Sequence, residues 1–235
     1  MKEPFEVTDR NRLRRVAKRG SYDRDAVHRV IDAAWLGHVA IRDERTEGPV
    51  VIPMLHARMQ DCLIFHGATS SRLMKFLVSG QPLAVSFALV DGLVLAKSLF
   101  HHSMNYRSVV AFGRGLPIEE EPAKLLALKA ISDKIMPGRW REARQPNPQE
   151  MRATAVVQVP IDSASAKIRK GGPIDDPDDY SLPVWSGVVP FSSRWGEPSA
   201  DEHSGGIALP SYIRPAKPES ALEHSAESIT RRKNV

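Results

Sequence analysis

The chain has 235 residues, of which 42% are hydrophobic and 26% are charged, a composition typical of a folded globular protein. Its single cysteine, Cys62, excludes an internal disulfide and a cysteine-rich zinc site, and no apolar run reaches membrane-spanning length or resembles a signal core, so we expect a cytoplasmic protein that does not bind membranes. The formal net charge of +5 favours anionic partners.

The basic charge is concentrated in an N-terminal arm, residues 1–20. Six basic side chains lie within ten residues, at Arg10, Arg12, Arg14, Arg15, Lys18 and Arg19. Such an arm can bind nucleic acid by releasing counterions, but the interleaved aromatic residues that stack on bases are missing. We therefore favour a solvated arm, or one packed on a partner subunit, over nucleic acid binding.

The other end of the chain, residues 192–235, is rich in Ser, Pro, Gly and charged residues and has no sustained apolar period. A segment of this composition cannot bury enough apolar surface to offset its ordering entropy, which predicts a mostly disordered tail. The folded domain is therefore expected to span residues 21–191.

The first predicted elements of this domain are a helix and three short strands. Asp23 can cap a helix that Gly37 would end. The apolar stripe of this helix consists of Val27, Val30, Ile31, Ala34 and Trp35. Apolar runs at residues 38–42, 49–59 and 62–66 predict strands, with a hairpin turn at residues 60–61. Pro53 lacks a backbone N–H, which predicts that its strand lies at a sheet edge or is bulged.

The remaining predicted elements are two helices and four strands. Residues 70–79 predict a short helix with Leu73, Phe76 and Leu77 facing inward, and an amphipathic helix follows residues 119–122. The apolar face of this second helix consists of Leu125, Leu128, Ile131 and Ile135. Strands are predicted at residues 83–96, with a break at Asp91 and Gly92, and at 106–114, 153–159 and 164–168. Many strands without regular βαβ alternation predict a mainly β fold, a β-barrel decorated by helices.

The strongest local signal for chemistry is the segment 65–72, Phe-His-Gly-Ala-Thr-Ser-Ser-Arg, in which a strand leads into a small-residue turn and a helix. Such a turn can present backbone N–H groups beside the hydroxyls of Thr69, Ser70 and Ser71 and the guanidinium of Arg72. Together these groups could hold a phosphate. The alternative is that Ser and Thr serve only as helix caps.

Two further segments, residues 101–108 and 182–188, combine polar and aromatic residues. On an extended chain His101 and His102 point to opposite faces, so they cannot bind one metal ion together, and no metal site is predicted. Trp185 lies between Pro and Gly, where an indole more often packs than supports a ligand. The sequence contains no nucleophile elbow, zincin helix, P-loop or dinucleotide-binding turn, which removes the commoner hydrolase, zincin, kinase-like and Rossmann classes.

In their order these segments resemble the pyridoxamine 5′-phosphate oxidase family of FMN-binding split barrels, particularly the branch that includes nitroimidazole-resistance reductases. The resemblance spans residues 20–190 and rests on five stretches of the sequence. These are residues 20–24, 65–72, 91–96, 100–112 and 183–187. The resemblance implies a split-barrel homodimer that binds FMN between its subunits and acts on a small-molecule substrate.

The resemblance also implies which residues contact the flavin. The strand along the isoalloxazine edge would be formed by Val51, Ile52, Pro53 and Met54, followed by His66 and Gly67 and, at the FMN phosphate, by Ser71 and Arg72. Further contacts would come from Tyr106, Arg107, Ser108 and Trp185. The oxidase has a phosphate-binding Lys where this chain has Leu73, so Ser70 or Lys75 would have to compensate.

The activity implied by the resemblance is an FMN-dependent oxidoreductase that passes electrons from reduced nicotinamide to a small acceptor, such as a nitroaromatic or a quinone. The Arg-x-His segment that holds the vitamin substrate of the oxidase is absent, so oxidation of pyridoxamine phosphate is not expected. Because the flavin carries the electrons, no catalytic residue is predicted. Two alternatives are a flavin-binding module without turnover, for storage or sensing, and a cleft for a deazaflavin or for haem, which His66 and His102 leave open.

Overall fold

The computed structural model describes residues 3–43 and 45–213, which divide into two compact units. Unit 1 comprises the described residues of Met1–Leu89 and Ser108–Ile168, and unit 2 comprises those of Val90–Arg107 and Arg169–Val235. The strands are β1 Gly20–Ser21, β2 Leu36–Arg42, β3 Pro49–Leu55, β4 Ala57–Met59, β5 Cys62–Ala68, β6 Pro82–Leu95, β7 Ser103–Arg114, β8 Leu116–Pro117, β9 Thr154–Pro160, β10 Ser163–Arg169 and β11 Gly187–Pro190. The helices are α1 Arg24–Ala33, α2 Arg72–Val78, α3 Glu121–Ile135, α4 Arg139–Glu142 and α5 Pro148–Ala153, with 3₁₀ turns at Ala17–Arg19, Leu99–His101, Pro177–Ser181 and Glu202–Ser204.

The strands form two sheets. The larger has the order β1-β10-β7-β6-β2-β3, with β11 paired to β6, and the smaller has the order β4-β5-β9-β8. The pairs β2–β3, β4–β5, β5–β9, β1–β10 and β11–β6 are antiparallel. β6 and β7 contribute residues to both units. The predicted mainly β architecture is confirmed, and neither sheet closes on itself within the described residues.

The main apolar core lies in unit 1 and joins both sheets to α1 and α2. Its fully buried side chains include Val27, Ile31, Val39, Leu63, Phe65, Leu77, Val85 and Phe87. Burial alternates along β2 and along most of β6, the period of two expected of a sheet with one covered face. A second cluster packs Ala127 and Ile131 of α3 against the smaller sheet. Ile135 is 51% exposed, so the predicted apolar face of α3 ends one turn early.

α1 begins as predicted, because the Asp23 side chain accepts a hydrogen bond from the Ala26 N–H at 2.8 Å. The predicted end of this helix was wrong. The helix ends at Ala33, and Trp35 lies beyond it with 44% of its surface exposed. Gly37 is not a helix stop but a residue of β2, where a Cβ would lie 2.8 Å from the Phe87 ring. Glycine therefore leaves room beside β2 for the Phe87 ring of the neighbouring strand β6.

The predicted strand at residues 49–59 is two strands in different sheets. β3 belongs to the larger sheet and β4 to the smaller, and the chain passes between them at His56, which is fully buried. β3 ends the strand order of its sheet, which confirms that Pro53 lies on an edge strand. The predicted hairpin between β4 and β5 is also confirmed, with Met59 opposite Cys62 and Gln60 at a φ of 53°.

The predicted break at Asp91 and Gly92 is wrong, because β6 runs unbroken from Pro82 to Leu95. In unit 2, Gly92 lies opposite Pro190 of β11, a strand that the sequence pattern did not predict. A Cβ on Gly92 would lie 2.8 Å from the Val189 carbonyl oxygen. Glycine therefore allows β11 to approach β6 closely instead of marking a turn.

The described part of the N-terminal arm belongs to unit 1 and has two buried residues, Phe5 and Asn11. The Asn11 amide donates to the carbonyl oxygens of Glu6 and Ala164, at 2.8 and 3.2 Å. The basic side chains that follow are mostly exposed. At the other end, residues 192–213 contain one 3₁₀ turn, Glu202–Ser204, and the rest of the predicted tail lies outside the described residues. Among the described residues, no helix is both long and apolar enough to cross a membrane.

Candidate functional site

The turn between β5 and α2 is built mainly from hydrogen bonds within unit 1. The Thr69 N–H donates to the Ala153 carbonyl and the Ser71 N–H to the Ala68 carbonyl, both at 2.9 Å. The Ser71 hydroxyl caps α2 by accepting from the Met74 N–H at 3.5 Å. The amides of Thr69 and Ser71 are therefore occupied. The exposed polar groups of the turn are the side chains of Thr69, Ser70 and Arg72.

The Arg72 guanidinium is half exposed and lies beside the buried carboxylate of Asp43, with Nε 3.4 Å from Oδ2. Arg45 binds the same carboxylate through its backbone N–H, its Nε and its Nη2, each at 3.0 Å. These hydrogen bonds from Arg45 lower the pKa of Asp43 to about 2, and the charges of Arg45 and Arg72 act in the same direction. Asp43 therefore stays ionised at neutral pH and links the end of β2 to the start of α2.

The residue that follows Arg72 supplies no second cation, because Leu73 is uncharged, and its side chain is buried in the core. Lys75 is exposed and lies three residues after Arg72, which places the two residues on the same side of α2. A buried leucine thus occupies the position of the oxidase lysine, and any other cation near Arg72 comes from an exposed side chain.

The edge strand β3 alternates exposed and partly buried residues. Val51 and Pro53 are exposed, whereas Ile52 and Met54 pack against the core. β2 pairs with one side of β3, with Ala40 opposite Val51 and His38 opposite Pro53. In the described residues no other strand pairs with β3, so its outer backbone groups are open to a ligand.

His66 and Gly67 lie at the end of β5. The Nδ1 atom of His66 is buried without a hydrogen-bond partner among the described residues, and burial lowers the pKa of this imidazole. The ring is therefore neutral at pH 7. A Cβ on Gly67 would lie 2.9 Å from Cγ of Met74, so the close contact between α2 and β5 accounts for this glycine without a ligand.

The remaining predicted contacts divide between the units. Ser108 belongs to unit 1, and its hydroxyl donates to the Lys167 carbonyl oxygen at 3.3 Å. Tyr106 and Arg107 lie on β7 in unit 2, where Nη2 of Arg107 binds Asp91 at 2.7 Å and Nε at 3.0 Å. Arg107 therefore already holds a carboxylate in a two-point ion pair.

Trp185 belongs to unit 2 and is 65% exposed. Its indole lies over Gly187, where a Cβ would be only 2.7 Å from the ring. The chain before it is fixed by Lys97, whose ammonium donates to the carbonyl oxygen of Val184 at 2.8 Å. Asp175 in turn accepts hydrogen bonds from the backbone N–H groups of Lys97 and Ser98, at 2.9 and 3.1 Å. Trp185 is thus an exposed aromatic on a well-supported loop.

The two adjacent histidines of unit 2 have different partners. Nε2 of His101 lies 3.2 Å from Oδ2 of Asp176, and Nε2 of His102 lies 3.2 Å from the Ala96 carbonyl oxygen. Over residues 3–43 and 45–213 no group of three His, Cys, Asp or Glu side chains could hold a metal ion.

Comparison with known proteins identifies the family. A family model described as pyridoxamine 5′-phosphate oxidase matches residues 23–168. The chain belongs to this family. The predicted resemblance is thereby confirmed, and the two antiparallel sheets are those of the split-barrel fold that the family shares. None of the curated proteins matches the chain.

Three solved structures are similar to this chain. The flavocytochrome Anf3 from Azotobacter vinelandii is 34% identical, with a TM-score of 0.82 over 88% of this chain and 95% of that chain. A protein from Mycobacterium smegmatis that binds FAD and haem is also 34% identical, with a TM-score of 0.78 over 83% of this chain and 95% of that chain. A 5-nitroimidazole antibiotic resistance protein from Bacteroides thetaiotaomicron is 23% identical, with a TM-score of 0.54 over 63% of this chain and 86% of that chain, and shares the fold alone.

Sequence reasoning from the family pattern missed Asp43, Arg45, Lys97 and Asp175. Asp43, Lys97 and Asp175 act on groups distant in sequence. Arg45 bonds to Asp43, two residues earlier, but it lies on an irregular loop that no sequence pattern marks. The ion pair of Asp43 with Arg72 spans 29 positions, and Lys97 binds the loop 87 positions later. Only the folded chain brings them together.

Proposed function

We propose that the protein binds a flavin nucleotide whose phosphate contacts Arg72. The observation that carries this proposal is the half-exposed Arg72 guanidinium, which lies 3.4 Å from Asp43 and follows a turn that exposes Thr69 and Ser70. Charge-assisted hydrogen bonds from arginine suit a phosphate. The two relatives at 34% identity, a flavocytochrome and a protein that binds FAD and haem, support the binding of a flavin.

The residues of unit 1 fit this group. Arg72 would bind the phosphate, and Lys75 lies close enough along α2 to add a charge. The open backbone edge of β3, with Val51 and Pro53 exposed, would lie along the polar edge of the ring system. A bound flavin accepts and donates one or two electrons, so the chain needs to supply only binding and position. Tyr106, Arg107 and Trp185 of unit 2 stay proposed flavin contacts.

The sequence pattern favours FMN as the flavin, whereas one relative binds FAD. The test is the absorption spectrum of the purified protein, followed by acid release and chromatographic separation of the flavin. We expect flavin absorption and FMN in the released fraction. Release of FAD would keep the flavin site and replace FMN, whereas a protein that carries no flavin and binds neither nucleotide on addition would overturn the proposal.

A haem site is a second candidate, favoured by the two relatives at 34% identity. Neutral His66, with its buried Nδ1, and His102 are the candidate ligands in this chain. The same spectrum decides, because bound haem gives an intense Soret band that flavin lacks. Loss of that band in His66→Ala or in His102→Ala would identify the ligand. A wild-type protein that takes up no haem on reconstitution would exclude the site.

We propose that the bound flavin takes electrons from a reduced nicotinamide and passes them to a small acceptor. The alternative is a flavin-binding module without turnover. Anaerobic addition of NADH or NADPH separates the two, since reduction bleaches the flavin absorption. If neither reductant bleaches it while dithionite does, the nicotinamide-dependent activity is wrong and the binding function stands.

We also propose that the protein is a homodimer that uses unit 2 as part of its interface. Unit 2 exposes large apolar side chains, among them Leu99 at 84%, Phe100 at 88% and Ile174 at 69%. Leu99 and Phe100 are adjacent in the chain, and exposed apolar side chains that form a contiguous patch commonly mark interaction sites. Light scattering coupled to size-exclusion chromatography is expected to give twice the 26.1 kDa chain mass. A monomer at micromolar concentration would contradict the proposal.

A further inference from the structure

The end of β2 carries a buried carboxylate that two arginines share. Asp43 is 8% exposed, and its Oδ2 atom lies 3.0 Å from Nη2 of Arg45 and 3.4 Å from Nε of Arg72. Both guanidinium groups therefore approach the same oxygen atom. Two cations this close would repel each other in the absence of the carboxylate. Asp43 is what allows them to lie side by side.

Both arginines keep much of their surface in water. The side chain of Arg45 is 70% exposed and that of Arg72 is 43% exposed. Within residues 3–43 and 45–213, Asp43 is the only carboxylate in an ion pair with either of them. The three groups together carry one net positive charge, and the exposed edges of both guanidinium groups are accessible to an anion.

The residue that follows Arg45 is hydrogen-bonded on both sides. The Thr46 hydroxyl lies 3.0 Å from the carbonyl oxygen of Asp43 and 2.8 Å from that of Gly48. The Thr46 N–H also donates to the Asp43 carbonyl at 3.0 Å. Arg45 is thus fixed at its backbone and at its side chain, which reduces the entropy lost when it binds a ligand.

We propose that Arg45 and Arg72, held together by Asp43, form a two-arginine phosphate site in which Arg45 supplies the second cation that Leu73 does not. Asp43 is a positioning residue, and Arg45 contacts the ligand. This inference rests on the proposed function, because it assigns the flavin phosphate to Arg72. It explains how the chain keeps two positive charges at the site although the residue after Arg72 is buried in the core.

The test compares FMN with riboflavin, which has the same ring system but no phosphate. Arg45→Gln is expected to weaken FMN binding by about tenfold, the loss of one charge-assisted hydrogen bond, and to leave riboflavin binding unchanged. Arg29→Gln, an exposed arginine on α1, is the matched control and should change neither. Equal FMN affinity in Arg45→Gln and Arg29→Gln would overturn the role of Arg45.

Asp43→Asn distinguishes two roles of the carboxylate, positioning of the arginines and repulsion of the phosphate. If Asp43 only repelled the phosphate, removing its charge would tighten FMN binding. If it positions the arginines, the variant binds FMN more weakly although the site gains positive charge, and Asp43→Glu recovers part of the affinity. Tighter binding in Asp43→Asn would overturn the positioning role. Because Asp43 is buried, the melting temperature of the Asp43→Asn protein is measured as well. If this variant does not fold, the FMN affinity of Arg45→Gln tests the two-arginine site, since Arg45 is exposed.

Arg72→Gln, measured beside Arg45→Gln, distinguishes this inference from the proposed function. If Arg72→Gln weakens FMN binding and Arg45→Gln does not, the two-arginine site is wrong and the contact of the phosphate with Arg72 stands. If the wild-type protein binds riboflavin as tightly as FMN, or binds neither compound nor FAD, the proposed function itself is wrong.

Discussion

Among single residues, His56 shows how burial determines the protonation state of a side chain that belongs to no sequence motif. It lies between β3 and β4, its Nε2 atom is 3.0 Å from the Ile31 carbonyl oxygen, and its ring centre is 4.8 Å from that of Phe87. Burial lowers the pKa of His56 to about 4, and the charge of Lys134 adds to the effect. The folded protein therefore holds this imidazole neutral.

This burial predicts a loss of stability in mild acid. Between the ordinary histidine pKa of about 6.5 and the folded value, the unfolded chain binds a proton that the folded chain does not, so stability falls as the pH falls. The free energy of unfolding is expected to drop by up to about 3 kcal/mol from this group, from pH 7 to pH 4. Urea titrations over this pH range, on wild type and His56→Gln, measure it.

The variant should show a shallower dependence of stability on pH. His38→Gln, an exposed histidine on β2, is the control and should follow the wild type. Equal slopes for His56→Gln and the wild type would mean that the imidazole is not held neutral by the fold.

Elements defined by local rules could be predicted from the sequence, and those defined by distant contacts could not. The Asp23 cap of α1, the turn between β4 and β5 and the start of α2 all depend on neighbouring residues. β3 ends just before His56, which contacts Ile31 and Phe87. The second half of β6 pairs with β11, more than 90 positions later. The same holds for Met74, which is buried because Gly67 lets α2 approach β5.

The junction between β7 and β8 gives a prediction at the scale of elements. A Cβ on Gly115 would lie 2.0 Å from the Leu77 carbonyl oxygen at the end of α2, a backbone atom that is itself hydrogen-bonded. Gly115→Ala is therefore expected to destabilise the protein by about 1–3 kcal/mol, the usual range for overpacking. Gly48→Ala, where the added Cβ has no neighbour within 4 Å, is the control. Equal urea midpoints for the two variants would show that the junction accommodates the added methyl group without a loss of stability.

At the scale of the whole molecule, the family and its mainly β fold could be read from the sequence, because the order of short local segments carries both. The candidate site could be read only in part. Arg72 and the edge position of Pro53 follow from local patterns, whereas the ion pair of Asp43 with Arg72 is a contact that the fold creates. The sequence likewise did not predict that the apolar side chains of unit 2 are exposed, because the exposure of a side chain depends on which elements cover it.

The exposed apolar residues of unit 2 predict the effect of a surface substitution on assembly. Phe100 is 88% exposed, and aromatic side chains dominate the binding energy of many interfaces. Phe100→Ser is expected to shift the proposed dimer towards monomer, measured by sedimentation at several protein concentrations. Leu126→Ser, which alters an exposed leucine of α3 in unit 1, should leave the assembly unchanged. Equal dissociation constants for both variants would place the interface elsewhere.

Contact between a flavin phosphate and Arg72 can be measured by titrating apo-protein with FMN and following flavin fluorescence. Arg72→Ala removes a charge-assisted contact and is expected to weaken FMN binding about tenfold to a hundredfold. Arg29→Ala should bind FMN as the wild type does. An Arg72→Ala variant with wild-type affinity for FMN would contradict the account, because the phosphate would then lie away from the turn between β5 and α2.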